Sequence, residues 1–358
     1  MNIRIYKRYQ ESVRLLWVLA LLAFTAAFSK ISAQDIHFSQ FYNSPFNLNP
    51  GLVGQFNGSY RFIGNQRTQW RSVTTPYSTL GLSADARHLR LADGLLNKMD
   101  GQPFQTDWNI GLSFFTDKAG DSHLKSNVIN LVLGKEIAAG NGVISPAIMI
   151  GYTGMQIDYS ALNYDNQWSG LVYDPSIDPG ENYTRSSRGY FNLNIGSVYQ
   201  LRKSRHEVFT TGFSFFNLTN PKQSFFDDGY VKLDPRFNLH GQYLFPIAQQ
   251  WDLEPMVMFA SQGTYKELNF GGLAHYTLED HAWAQRSVYI GAMGRARDAG
   301  YIIGGIKYDD WEAGISYDIN TSNLKPASSG KGGFEISVIY IIPPPPIARP
   351  VKICPDWI

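Results

Sequence analysis

Charge is what this sequence has least of. Asp, Glu, Lys and Arg make up 17% of its 358 residues, well below the roughly 25% common in soluble domains. A net charge of +1 gives no basis for nucleic-acid recognition, and no such partner is expected. The single cysteine, Cys354, excludes an internal disulfide framework. Beyond Phe28 no apolar run is long enough to cross a bilayer as a helix. Chemical motifs are missing too. Seven histidines (His37, His88, His123, His206, His240, His275 and His281) are scattered without metal-ligand spacing. There is no GxSxG elbow. Gly330-Lys331-Gly332-Gly333 lacks the upstream glycine and the following Ser or Thr of a phosphate loop. No catalytic residue, cofactor site or metal site is expected, and the chain reads as non-enzymatic.

Aromatic residues, in contrast, reach 14%, with 21 Tyr and 22 Phe beside 33 Gly. A mean hydropathy of -0.23 taken alone would suggest a soluble protein. Low charge, abundant aromatics and no long apolar helix together point to an outer-membrane β-barrel. The N-terminus fits export. Arg4, Lys7, Arg8 and Arg14 precede an apolar run from Leu15 to Phe28, and Ile31-Ser32-Ala33 ends in a small residue before Gln34. Residues 1–33 are expected to be a signal peptide cleaved between Ala33 and Gln34, the alternative being an uncleaved anchor. Gln rather than Cys at position 34 argues against the lipoprotein route.

The remainder alternates with a period of two, as strands with two unlike faces do. Ser59, Arg61, Asn65, Arg67 and Gln69 oppose Tyr60, Phe62 and Trp70. Trp108, Ile110, Leu112 and Phe114 oppose Asn109, Gly111 and Ser113. Trp311, Ala313, Ile315, Tyr317 and Ile319 oppose Glu312, Gly314, Ser316, Asp318 and Asn320. Gly333 to Ile342 closes the series, and the segments 252–262 and 265–277 are weaker. The count is about fourteen strands of about ten residues, enough to cross a membrane at a tilt. The apolar faces carry almost no charge, which lipid requires and a soluble sandwich or propeller does not. The predicted fold is all-β: a transmembrane, antiparallel, up-and-down barrel over residues 58–342. Its long loops, 160–188 and 219–235, fall on one side and short turns on the other. The exception is the long link 88–106 on the short-turn side.

Residues 34–57 form a lead-in dense in Asn, Phe and Pro, without a clean period. Gly81-Leu-Ser83, Gly111-Leu-Ser113, Gly212-Phe-Ser214 and Gly314-Ile-Ser316 each turn small residues inward. They leave room for a plug made by the lead-in, or for inward side chains of other strands. Arg67, Trp70 and Arg71 are the candidates for pinning the lead-in to the wall. Residues 343–358 form a Pro-rich tail that cannot continue a ladder. Its apolar Trp357 and Ile358 are candidate periplasmic docking residues.

These segments resemble the PorP/SprF family of outer-membrane proteins of the type IX secretion and gliding-motility system. The resemblance rests on QDIHFSQFYNSPFNLNPGLVG, on Asn65-Gln66-Arg67-Thr68-Gln69-Trp70, on FSFFNLTNPKQSFF and on GISYDINTSNLKPASSGKGGFEISVIY. Cys354-Pro355 in the tail is also similar to the family, which adds Cys354 to the docking candidates. The resemblance implies a barrel in outer-membrane lipid that works with the type IX translocon. It implies periplasmic ring or peptidoglycan-binding lipoproteins as partners. It also implies export or surface anchoring of a secreted adhesin with a C-terminal targeting domain. It carries no catalytic residues. The competing reading is a passive porin or a transporter of hydrophobic solutes.

Overall fold

The computed structural model describes residues 37–69, 76–88, 108–120, 123–180, 185–225, 231–281, 284–321 and 331–343. The sequence-based candidates Ala33, Gln34, Trp70, Arg71, Cys354, Trp357 and Ile358, and most of the link 88–106, lie outside the described residues. The strands are β1 (Tyr60–Gln69), β2 (Tyr77–Ala86), β3 (Trp108–Ala119), β4 (Leu124–Lys135), β5 (Ile137–Ala139), β6 (Gly142–Gln156), β7 (Ser187–Arg202) and β8 (Val208–Phe216). They continue as β9 (Arg236–Ala248), β10 (Trp251–Gln262), β11 (Tyr265–Asp280), β12 (Gln285–Arg295), β13 (Ala299–Tyr308), β14 (Trp311–Asn320) and β15 (Lys331–Ile342).

Each strand pairs antiparallel with its sequence neighbours, and two further pairings make the sheet a ring. β4 pairs with β6 and is continued past Glu136 by the three-residue β5, so these two form one stave. β1 pairs with β15, from Tyr60 opposite Ile342 to Thr68 opposite Phe334. The fifteen segments are therefore fourteen staves of a closed barrel. Closure leaves no unpaired edge, which is what hydrocarbon demands of a sheet. No helix among the described residues is long and apolar enough to cross a membrane.

Alternation decides which face meets lipid. On β14, Trp311, Ile315, Tyr317 and Ile319 stand outward while Gly314, Ser316, Asp318 and Asn320 are buried inward. Leu82, Leu112, Leu131, Ile148, Ile290 and Ile302 extend the same exposed apolar band around the wall. Aromatic rings border that band at both ends, the arrangement that amphipathic rings adopt at membrane interfaces. At the rim holding Tyr60 and Ile342, Trp311 stacks on Tyr340 at 4.4 Å and Trp251 meets Tyr276 at 5.0 Å. At the opposite rim, Tyr152 meets Phe191 and Phe215 meets Phe237, each at 5.0 Å.

The connections are as unequal as the rims. Near Tyr60 and Ile342 the described turns are short, such as 249–250 between β9 and β10 and 309–310 between β13 and β14. The opposite rim carries the long connections 157–186 and 217–235, while the long link from Ala86 to Trp108 starts and ends at the Tyr60 rim. The loop expected over 160–188 begins a little earlier: β6 ends at Gln156, and Tyr159 lies in a short 3₁₀ turn, Tyr159–Ala161.

The lumen departs from the sequence picture of a polar inner face. On β10 to β13 the inward residues include Met256, Met258, Leu273, Met293 and Ile303, which pack with Phe41 and Leu48. Across the lumen, Phe46 and Val53 pack with Val132, Met149 and Phe216.

Candidate functional site

The site is the lumen and the segment within it. Between His37 and Tyr60 the chain has no long regular element. Three single turns, Phe41–Asn43, Pro45–Leu48 and Pro50–Leu52, follow one another, two of them with a proline in the first turn. Proline fixes φ and lacks an N–H, so it starts such a turn without leaving a donor unpaired. Short turns bend the segment into a compact strip instead of a rod. Phe38, Phe41, Phe46, Leu48 and Val53 are buried along it. Each such side chain contributes about 1.5–3 kcal/mol when removed from water.

Three sets of polar contacts hold the strip at successive depths. Farthest from the Tyr60 rim, the Glu335 carboxylate on β15 accepts the backbone N–H of Ser39 at 2.7 Å and that of Gln40 at 3.0 Å. Arg67 on β1 donates to Glu335 at 3.1 Å and to Asp318 on β14 at 2.7 Å. It also donates to the Ser39 hydroxyl, which in turn donates to Asp318 at 2.7 Å. Arg67 is 2% and Glu335 0% exposed, so these ions depend wholly on one another and on the segment. Arg295 on β12 extends the group, 3.4 Å from Glu267 and 2.9 Å from Asp298.

At mid-depth Asn49 donates to the carbonyls of Ser197 at 3.1 Å and Phe213 at 3.0 Å. Its own side-chain oxygen accepts the Gly51 N–H at 2.8 Å. The Leu48 carbonyl accepts from Ser214 at 2.9 Å and Asn238 at 3.0 Å. Near the Tyr60 rim, Asp85 accepts the Gly54 N–H at 2.8 Å and pairs with Arg61 at 2.8 Å. Asn109 donates to the Val53 carbonyl at 3.2 Å, and Gln55 to the Ser145 hydroxyl at 2.7 Å. Backbone groups without a regular helix or strand need such partners once buried.

The inward glycines give the strip its space. A Cβ at Gly111 would sit 2.4 Å from the Phe46 ring, and one at Gly314 would sit 2.4 Å from the Gln40 side-chain oxygen. At Gly212 it would lie 2.7 Å from the Asn49 amide. Between the strip and β9 to β11 remains a crevice of about 40 Å³, lined by Phe41, Leu48, Arg236 and Met258 among others. That is room for roughly three water molecules.

Of the sequence candidates, Arg67 thus touches residue 39 directly. Its partners Asp318 and Glu335, and the outlying Arg295 and Glu267, were not singled out in the sequence. The available signal was charge at inward positions of otherwise charge-poor strands. β11 runs to Asp280, whose carboxylate accepts from His206 at 3.0 Å and Arg205 at 3.2 Å.

Residues 31–340 match the family described as type IX secretion system membrane protein PorP/SprF. The chain belongs to that family. A PorP/SprF protein with this closed wall, apolar belt and double aromatic border sits in the outer membrane. Its short-turn rim, at Tyr60 and Ile342, is the periplasmic side by the usual habit of such barrels, and the long loops are external. His37 and Ser39 then lie toward the external half, and Gly54 and Gln55 toward the periplasm. None of the curated proteins compared with the chain matches it. Among solved structures it is similar to the Ralstonia pickettii toluene transporter TbuX, at 8% identity and a TM-score of 0.44, covering 82% of this chain and 92% of that one. It is also similar to the Pseudomonas putida toluene transporter TodX, at 11% identity and a TM-score of 0.40, covering 86% and 94%. CdiB from Escherichia coli follows at 7% and 0.41, covering 78% and 63%.

Proposed function

We propose that this PorP/SprF barrel is a non-enzymatic accessory of type IX secretion that assists export or surface anchoring of a secreted adhesin-type protein. The observation that carries the reading is the lumen: a segment of the chain itself, bonded to β1, β14 and β15, to β7, β8 and β9, and to β2 and β3, lies within it. A barrel so occupied serves through its surfaces. The external loops 157–186 and 217–235 face the secreted partner. The periplasmic rim, with the lead-in and the tail bearing Cys354, Trp357 and Ile358, faces ring or peptidoglycan-binding lipoproteins. The wall contacts outer-membrane lipid and the translocon.

Deleting the gene tests this directly. Surface display of one adhesin is expected to be lost, with the protein retained or released; normal display in the deletion strain would overturn the proposal. Steady solute conductance of the intact protein in planar bilayers would instead favour a passive channel.

A further inference from the structure

The loop between β6 and β7 is ordered by its own hydrogen bonds, yet it leaves its apolar residues in water. Gln167, buried at its centre, donates to the Ile177 carbonyl at 2.9 Å and accepts from the Tyr173 hydroxyl at 2.9 Å and the Tyr164 N–H at 3.3 Å. Around it, Trp168 and Tyr173 pair as a small antiparallel bridge. The Asp174 N–H donates to the Gln167 carbonyl at 2.8 Å, and the Ser169 N–H to that of Val172 at 3.0 Å. Gly170, at φ 92°, turns the tip. The outward residues of this hairpin are Trp168, Leu171 and Val172, which are 58, 87 and 62% exposed. A flexible polar loop would need none of this organisation. A preordered tip with an aromatic anchor loses little conformational entropy on binding.

Charge selects the partner. From residue 157 to 186 the loop holds Asp158, Asp165, Asp174, Asp178 and Glu181 against a single basic residue, Arg185, two positions before β7. Loops and helices that dip into a membrane surface flank their apolar residues with basic ones, because phosphate headgroups are anionic. Here the flanks are acidic and would be repelled. Hydrogen bonds from Ser176 hold the Asp174 carboxyl below its usual range, so it stays ionised near the tip.

We propose that the hairpin Trp168–Tyr173 is the external docking tip for the secreted protein, and that it enters an apolar recess ringed by Lys or Arg on that partner. This deepens the anchoring role proposed above and rests on it. The test uses a strain in which deletion abolishes display of a tagged surface protein. The full-length chain is put back as wild type, as W168S/L171S/V172S, as L171S alone and as D165N/D174N. Barrel amount is read by heat-modifiable mobility and display by antibody on whole cells. The triple variant is expected to assemble normally and to lose at least about tenfold in display, with the tagged protein appearing in the medium. D165N/D174N is expected to lose about threefold and to blunt the weakening of display by salt, as screening requires. A photoreactive phenylalanine at position 171 is expected to crosslink the tagged protein itself.

If the triple variant displays like wild type while the deletion displays nothing, the docking tip is overturned and the broader function stands. Should the triple variant assemble poorly, L171S decides, since the Leu171 side chain has almost no contacts to lose; full display then overturns the proposal. Crosslinks only to lipopolysaccharide or to a second copy of this chain overturn it as well. Display indifferent to both salt and D165N/D174N overturns the basic ring.

Discussion

Glu335 grips Ser39 by its backbone: one carboxylate oxygen accepts the Ser39 N–H at 2.7 Å while the other takes the next N–H, of Gln40, at 3.0 Å. The last strand thereby holds the start of the buried segment, and Arg67 on the first strand balances the charge. Removing the balance is the severe change. Arg67→Ala leaves Glu335 buried without its cation and Asp318 with only Arg295, 3.8 Å away, and is expected to cost about 3–5 kcal/mol. Glu335→Gln puts an NH2 against donors and is expected to cost about 1–3 kcal/mol. Urea midpoints of the folded protein in liposomes should fall in that order. A wild-type midpoint for Arg67→Ala would show that this charged cluster does not hold the segment.

The glycine cradle can be tested through its occupant. Gly111→Ala places a methyl against the buried Phe46 ring, an overpacking expected to cost about 1–3 kcal/mol. Phe46→Ala opens a cavity at about 3–5 kcal/mol. In the double variant the new methyl enters the vacated space, so the combined loss should be smaller than the sum. Strict additivity would mean that the two residues do not meet.

Lipid contact predicts a strong asymmetry between neighbours in sequence. Ile315 faces outward in the middle of β14, between Gly314 and Ser316, which face the lumen. Ile315→Lys is expected to destabilise the folded barrel in liposomes by about 2–4 kcal/mol, as a cation at mid-depth in hydrocarbon does. In detergent micelles, which deform around the charge, the loss should shrink. Equal losses in both media would argue against membrane burial of this face.

One periplasmic turn should respond to pH. His206, between β7 and β8, contacts Asp252 at 2.5 Å and Asp280 at 3.0 Å, with Arg205 beside it on Asp280. Hydrogen bonds first to Asp252 and then to Asp280 raise its pKa above the ordinary 6.5. A raised folded value means that the protonated form favours the folded turn. The stabilisation is complete below about pH 6.5 and fades as pH rises through the folded pKa. Protection of the amides in residues 203–207, taken relative to their intrinsic base-catalysed exchange, should therefore fall between pH 6 and pH 9, roughly the range in which a raised histidine titrates. His206→Ala should abolish that fall in protection. An unchanged pH dependence in that variant would assign it elsewhere.

Legibility in the sequence followed the two-faced strands. β14 keeps apolar residues outward and small or polar ones inward, and β15 does the same from Gly333 to Val338 before Ile339 turns in, so their limits and mutual faces can be read directly. β10 and β11 cannot, because Met256, Met258 and Leu273 point inward to pack on Phe41 and Leu48; apolar residues on both faces blur a period of two. The inward Gly-x-Ser pairs announced that something lies close to the wall, but not what. Arg67 stood out as a charge on a membrane strand. Asp318 and Glu335 lay on equally plain inward positions, but only the ring closure between β1 and β15 brings them to it. The short turns of the lead-in have no period at all, since their conformation is set by the walls around them.

The seam between Tyr60 and Ile342 has a consequence for biogenesis. The first and last strands are joined only when both have been made, and the bulky strip anchored at Ser39, Asn49 and Gly54 lies inside the finished ring. The anchor at Ser39 takes Glu335 from the last strand and Arg67 from the first, so the strip is gripped in full only once that seam is sealed, like the contents of a cask held fast as the final stave is set.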